Sequence, residues 1–417
     1  MKRNLALAWL LLCGPQVAGV APDAWVAAWA SSPQASAPDS KEPLLNLDDQ
    51  TVRERVRLSA GGARIRLRLS NEYGSTPLLL GAVTVAAPNG PAGVKPGSIQ
   101  TVAFGGRSSI AIPAGAPILS DPVAFPVASG DEISISLYFP KRVATPTMHW
   151  LALKRAVVSK QGDQTRADQI QDGAMTSSSI LVSAVLVPAQ PSQRLVVAFG
   201  DSITDGDRST VDADRNWPSD LVRRLANSPG RAPVAVVNEG IVGNRLLSDC
   251  FMAEVGCFAV SALARFDRDV LTLPGVTHVV LLAGINDIGF PGAKLGGSLL
   301  ANAADERTPE EIIGGYRQLV ARAHANGIKV IGATLLPFEG VIVPGYYSEP
   351  KEAARQSVNK WIRSSGAFDA VIDFDAVLRD PDYPSRLAPV FASKDRLHPN
   401  DAGYQAMADA IDLSLFK

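Results

Sequence analysis

Apolar and polar residues alternate with a period of two through the first half of the chain, and longer apolar runs separated by helical patterns follow in the second. Val56 and Leu58 alternate with polar neighbours, Gly61-Gly62 supply a turn, and Ala63, Ile65, Leu67 and Leu69 alternate with Arg64, Arg66 and Arg68. The spacing predicts a hairpin of half-buried strands. It recurs at Ile133, Ile135, Leu137 and Phe139 against Ser134, Ser136 and Tyr138, with Gly and Pro between such runs. An antiparallel β-sandwich-like domain over 22–187 is the expectation, one face of each sheet packed inward. Residues 188–193, rich in Pro, Gln and Ser, read as a linker.

Beyond Arg194 strand-length apolar runs occur at Leu195 to Phe199, Val234 to Val237, Val279 to Ala283, Lys329 to Thr334 and Ala370 to Ile372. Helical patterns separate most of them. In the clearest, Thr308 caps, Pro309 fits the first turn, Glu311 completes a capping box, and Gly327 ends the helix. Ile312, Tyr316, Leu319, Val320 and Ala323 form its buried stripe. Further helices are expected at Pro218 to Ala226, Glu352 to Ser364 and Asp401 to Leu415. Strand followed by helix, repeated, implies an α/β domain over 194–417 with a parallel sheet covered on both faces.

The two ends of the charge scale are empty. A formal net charge of −1 gives no field for steering polyanions, so nucleic acid is not an expected partner. Residues 1–21 read as an export signal: Lys2 and Arg3 precede the apolar Leu5 to Leu12, and small residues follow around Val17 to Ala21. Cleavage after Ala18, Gly19 or Ala21 fits equally. The segment is too short for a permanent membrane span, and a secreted or periplasmic protein is expected. Leu11 and Leu12 before Cys13 do not suit a lipid anchor. Loss of Cys13 with the signal leaves Cys250 and Cys257, which in an oxidising compartment are expected to form a disulfide closing a short loop.

The candidate chemistry begins where the run Val196 to Phe199 drives into Gly200-Asp201-Ser202. Ser202 falls just past a strand end, the edge at which open α/β sheets bind ligands. It is a candidate nucleophile, or else part of a turn in which Asp201 and Ser202 bond the backbone. A serine nucleophile needs a base oriented by a third group. Of the four histidines, His278 begins a strand, His324 lies within a helix and His149 belongs to the β-rich half. Only His398 lies in a loop with a nearby carboxylate, Asp395, and Pro399 stiffens that loop. Donors for an oxyanion are available after the second and third strands, in Asn238 to Asn244 and in Gly284-Ile285-Asn286-Asp287.

These four stretches together resemble the SGNH hydrolase superfamily, the GDSL esterases and lipases. Gly200-Asp201-Ser202-Ile203-Thr204 matches the first block, the segment ending at Gly243 the second, Gly284 to Asp287 the third, and Asp395-Arg396-Leu397-His398 the last. The resemblance covers about Arg194 to the C-terminus and implies a flavodoxin-like three-layer α/β/α fold. It marks Ser202, His398 and Asp395 as catalytic residues and Ser202 N–H, Gly243 N–H and the Asn286 side chain as oxyanion donors. The β-rich half, with its Trp25 to Ser32 opening, looks like the N-terminal domain of some secreted bacterial members. The segment holding Cys250 and Cys257 departs from the family as an insertion beside the second block.

The mechanism so implied needs no metal or organic cofactor. Carboxylic esters are the expected substrates, with acetyl groups on carbohydrate favoured by export and the appended β half, and lipid or aryl esters as the alternative. Two other readings compete. Asp201, Asp205 and Asp207 crowd one loop and could join Asp395 and His398 as metal ligands. Alternatively the β half is a glycan-binding module beside an inactive hydrolase, with Arg64, Arg66 and Arg68 as an anion strip or a solvated face, and Trp25, Trp29 and Trp150 as stacking platforms or core. Pro291 to Ala304 is either a loop over the acyl site or ordinary surface.

Overall fold

The computed structural model describes residues 24–36, 43–44, 46–228, 232–252 and 257–417. The export signal expected at 1–21, with Cys13, lies outside them. The β-rich half contains two larger antiparallel sheets. One runs through Ala174–Thr176, Ala156–Val158, Gln50–Arg57, Glu132–Phe139, Ala82–Ala86 and Gln100–Thr101; the other through Trp25–Ala30, Val182–Pro188, Arg66–Ser70 and Pro117–Leu119. The expected hairpin through Gly61-Gly62 is not formed. Gln50–Arg57 pairs with Glu132–Phe139, whereas Arg66–Ser70 pairs with Val182–Pro188, so the glycines carry the chain from one sheet to the other. Gly61 fits there because a Cβ would lie 2.6 Å from the Val127 carbonyl oxygen.

Ile133, Ile135, Leu137 and Phe139 are fully buried as their alternation predicts, but Ser134 and Ser136 on the opposite face are buried too. That second face is covered because Arg53, itself buried, donates to Ser136 Oγ and to the carbonyls of Ala92, Gln164 and Ala167. The arginine row is neither a free strip nor a plain solvated face. Arg64 and Arg66 sit 5.4 and 4.9 Å from the Trp25 ring centroid, and Arg68 donates to Ser183 Oγ. Trp25, Trp29 and Trp150 are partly buried against the core.

The second half is built on five parallel strands, β1 (Arg194–Gly200), β2 (Val234–Gly240), β3 (Val276–Leu282), β4 (Lys329–Ala333) and β5 (Ala370–Ile372), in the order 2-1-3-4-5. This is the flavodoxin-like order, with its switch point between β1 and β3. Helices α1 (Ser202–Asp205), α2 (Trp217–Ala226), α3 (Pro309–Ala325), α4 (Glu349–Ser364) and α5 (Asp401–Asp409) include those the sequence outlines. The α3 capping box forms between Thr308 and Glu311, and its stripe from Ile312 to Ala323 is buried. The last helix stops at Asp409 rather than reaching Leu415, and a 3-10 turn at Leu413–Phe416 completes the chain.

The halves meet over a common core. Trp25–Ala30 packs along β2, Ala27 N–H donates to the Pro274 carbonyl, and Val236 N–H donates to Ser59 Oγ. Arg55 pairs with Asp212, while Arg57 and Lys154 both reach Asp214. Pro291 to Ala304 folds into a short hairpin, Lys294–Leu295 against Ser298–Leu299, and the Lys351 ammonium holds its base through the Gly289 and Pro291 carbonyls.

The expected disulfide is absent: Cys250 and Cys257 are buried free thiols. They lie on the hairpin Cys250–Met252 and Cys257–Ala259, whose register pairs Cys250 with Ala259 and Met252 with Cys257. The cysteines are therefore diagonal neighbours on that hairpin. Burial, with the Cys250 thiol beside it, pushes the Cys257 thiol well up.

Candidate active site

Asp201 is extended and caps α1 by accepting from Ile203 N–H at 3.0 Å, which leaves Ser202 as the first residue of that short helix. The turn is pressed onto the sheet. At Gly240 a Cβ would come within 2.2 Å of Asp205 N, so only glycine lets α1 sit against the end of β2. Burial lifts the Asp201 carboxyl to about 7.

Ser202 Oγ lies 2.8 Å from His398 Nε2, and His398 Nδ1 lies 2.8 Å from Asp395 Oδ2. Ser202 and His398 are 196 positions apart in the chain, and all three side chains are buried. Asp395 Oδ1 accepts from Leu397 N–H, His398 N–H and Ser393 Oγ, so the carboxylate is fixed before it meets the imidazole. Arg208 Nε donates to the same Oδ2 at 2.8 Å. Burial works against the Asp395 charge but loses to these bonds, and its pKa falls well below the usual carboxylate range. An ionised Asp395 accepts from Nδ1–H, so Nε2 presents its lone pair to the serine hydroxyl. Burial also opposes a charged His398, yet Asp395 and Asp207, whose carboxylate is 3.7 Å from Nε2, raise the imidazole pKa above 6.5.

The second and third expected blocks reach the same edge. Ile241 N–H donates to the Gly200 carbonyl, and Gly243 follows with φ +69°, a conformation glycine adopts without strain. Asn286, buried at the start of a short helix, donates from Nδ2 to the Asn244 carbonyl at 3.0 Å and accepts at Oδ1 from the Tyr346 hydroxyl at 2.8 Å. These two bonds fix which way the amide points and, among the described residues, leave its second N–H unspent. Asp287 accepts from Leu246 and Leu247 N–H and so ties the third block to the second.

Of the carboxylates of the metal reading, Asp201 accepts from the Ile203 amide and Asp205 faces the His149 ring, while Asp207 and Asp395 both face His398 and Arg208. His149, placed by sequence in the β-rich half alone, reaches across to α1. Its Nδ1 faces the Ser32 carbonyl at 3.0 Å and its Nε2 faces Asp205 Oδ1 at 3.2 Å, so both nitrogens meet acceptors and the pair shares a proton. Tyr346, Arg208 and His149 carry no local motif that would have singled them out. Of the other histidines, His278 is buried and lowered to about 4, chiefly by burial, and His324 pairs with Asp369 on the surface.

The fold and this arrangement define an ester hydrolase of the flavodoxin-like α/β class. Residues 198–406 match the GDSL-like Lipase/Acylhydrolase family, and the chain belongs to it. No curated protein matches the chain. Similar solved structures include a GDSL-like lipase from Bacteroides thetaiotaomicron, 21% identical with a TM-score of 0.39, covering 55% of this chain and 90% of that one. An acetyl xylan esterase from Geobacillus stearothermophilus is 22% identical with a TM-score of 0.38, covering 52% and 91%. An aryl esterase from M. smegmatis is 17% identical with a TM-score of 0.39, covering 52% and 95%.

Proposed function

We propose that this ester hydrolase is an exported serine esterase that works through an acyl-enzyme on Ser202. The observation that carries the reading is the pair of 2.8 Å contacts running Ser202, His398, Asp395. His398 Nε2 takes the Ser202 proton as Oγ attacks the ester carbonyl, and Asp395 stabilises the imidazolium that results. Ser202 N–H, Gly243 N–H and the free Asn286 N–H receive the oxyanion. The imidazolium then returns its proton to the leaving alcohol. Water, deprotonated by the same nitrogen, splits the acyl-enzyme and releases the carboxylic acid.

For substrate the reading is short O-acyl groups, acetyl first, on carbohydrate, supported by the export-type sequence at 1–21 and by a β half fused to the hydrolase. A second reading, lipid or aryl esters, is favoured by Ile342 and Val390, each 65% exposed in loops beside the Asp395 to Asn400 segment. The deciding experiment is hydrolysis of p-nitrophenyl esters from acetyl to palmitoyl beside acetate release from acetylated xylan, with Ser202→Ala as control. Acetate release with activity collapsing beyond short chains supports the carbohydrate reading. Long-chain preference without glycan activity replaces it with the lipid one, and turnover by Ser202→Ala would remove the serine mechanism altogether.

A further inference from the structure

The three proposed oxyanion donors sit on separate segments, and one fully buried guanidinium touches the frame of all three. Arg265, on the helix Ala262–Phe266, donates from Nη2 to the Gly200 carbonyl at 2.8 Å, two residues before Ser202. From Nη1 it donates to the Glu239 carbonyl at 2.9 Å, at the end of β2, and from Nε to Asn244 Oδ1 at 2.9 Å, next to Gly243. Asn244 passes the constraint on, because its own carbonyl receives Asn286 Nδ2. Beneath these bonds the guanidinium lies 4.1 Å from the centroid of the Phe199 ring.

The β half takes part in the same network. Ser32, in the loop after Trp25–Ala30, accepts from Arg265 Nη1 at 2.9 Å and donates to the Glu239 carboxyl. Charge is only one part of the arrangement: the buried Glu239 carboxyl also lies beside both Arg265 and Arg268. Asp269 accepts from Arg265 but is already held by Arg268 through both oxygens. Burying a second cation there is costly. What the planar fork supplies, and a lysine would not, is fixed geometry toward three acceptors at once.

We infer that Arg265, braced by Ser32 of the β half, is a positioning residue that sets the spacing of the Ser202, Gly243 and Asn286 donors. The inference rests on the serine mechanism proposed above. Arg265 has no exposed surface, so it acts on the transition state through those donors and not on substrate binding.

The test is steady-state hydrolysis of p-nitrophenyl acetate by the full chain, with active sites counted by a fluorophosphonate probe that labels Ser202. Arg265→Gln should lower kcat per labelled site by about 30-fold to 100-fold with KM within about threefold, and Ser32→Ala by about three- to tenfold. In a double-mutant cycle Arg265→Gln should add less than about threefold to the loss from Asn286→Ala, because both act on the same donor set. If Arg265→Gln does not fold, the same cycle with Ser32→Ala carries the test. Losses that multiply, or a lower melting temperature with kcat per labelled site unchanged, would overturn the positioning role while leaving the serine mechanism intact. A native enzyme that hydrolyses the ester without labelling at Ser202 would overturn both.

Discussion

Asp395→Asn isolates the part of the site that decides which nitrogen of His398 carries the proton. The substitution keeps the shape and exchanges one acceptor for an NH2 donor. Placed at the Oδ1 position, that donor would confront Leu397 N–H and His398 N–H, two backbone donors that cannot turn away. Placed at the Oδ2 position, it meets only Arg208 Nε, on a side chain 57% exposed and free to withdraw, and His398 Nδ1, which can become an acceptor. The second orientation wins because each confronted backbone bond to a former carboxylate is worth about 1.5–3 kcal/mol. His398 is then forced into the tautomer with Nε2–H aimed at Ser202, and the base is lost. Turnover should fall on the order of 10,000-fold, the loss expected from a wrong imidazole tautomer. The assay is kcat for p-nitrophenyl acetate between pH 6 and 9, per folded molecule. Stability offers a second readout. The depressed pKa of Asp395 favours the folded state above the unfolded carboxylate value of roughly 3.9, and that advantage shrinks as pH falls through the folded value. The native and Asn proteins should therefore differ most in melting temperature near neutrality and converge in acid. A loss of activity below about tenfold would refute the tautomer argument.

Asn286→Ala should lower kcat by about 100-fold to 1000-fold with little change in KM, the cost of one oxyanion donor, and near-normal turnover would exclude Asn286 from that role. The proposed mechanism requires neutral His398, whose pKa is raised above the ordinary 6.5 by Asp395 and Asp207, so kcat/KM should rise with pH through a value above 6.5. Asp207→Asn removes a carboxylate 3.7 Å from Nε2 and should shift that limb to lower pH, whereas an unmoved limb would deny the coupling. Alkylation of the denatured, unreduced protein followed by mass measurement should find Cys250 and Cys257 both modified, and a mass lacking both adducts would contradict the free thiols.

The sequence exposes what is local. Thr308 and Glu311 announce α3 because a capping box needs residues three apart, and the apolar runs before Gly200 and Gly284 reveal parallel strands because both faces are buried. Ser202, His398 and Asp395 were readable as candidates because each stands in a short segment with its own turn chemistry. Strand partnership was not readable at Gly61-Gly62, since alternation gives the face of a strand but not its neighbour. Nor were Arg265, Tyr346 and His149, whose significance lies in contacts across 65, 60 and 56 residues that no local pattern encodes. The register that sets Cys250 and Cys257 on a diagonal of one hairpin was likewise beyond any local pattern.

The seam between the halves also bears on when the protein becomes whole during synthesis. Trp25–Ala30 finds its ladder partner in Val182–Pro188 and its cover in β2, which ends at Gly240. A growing chain thus carries this apolar strand unpaired until Pro188 and uncovered until Gly240 has left the ribosome, and loop closure of that span makes the contact slow to form. The β half therefore does not complete its packing on the schedule of its own translation. Ser202, the last of whose partners is His398, meets that partner only once residue 398 has emerged, so a chain shorter than that holds no finished site.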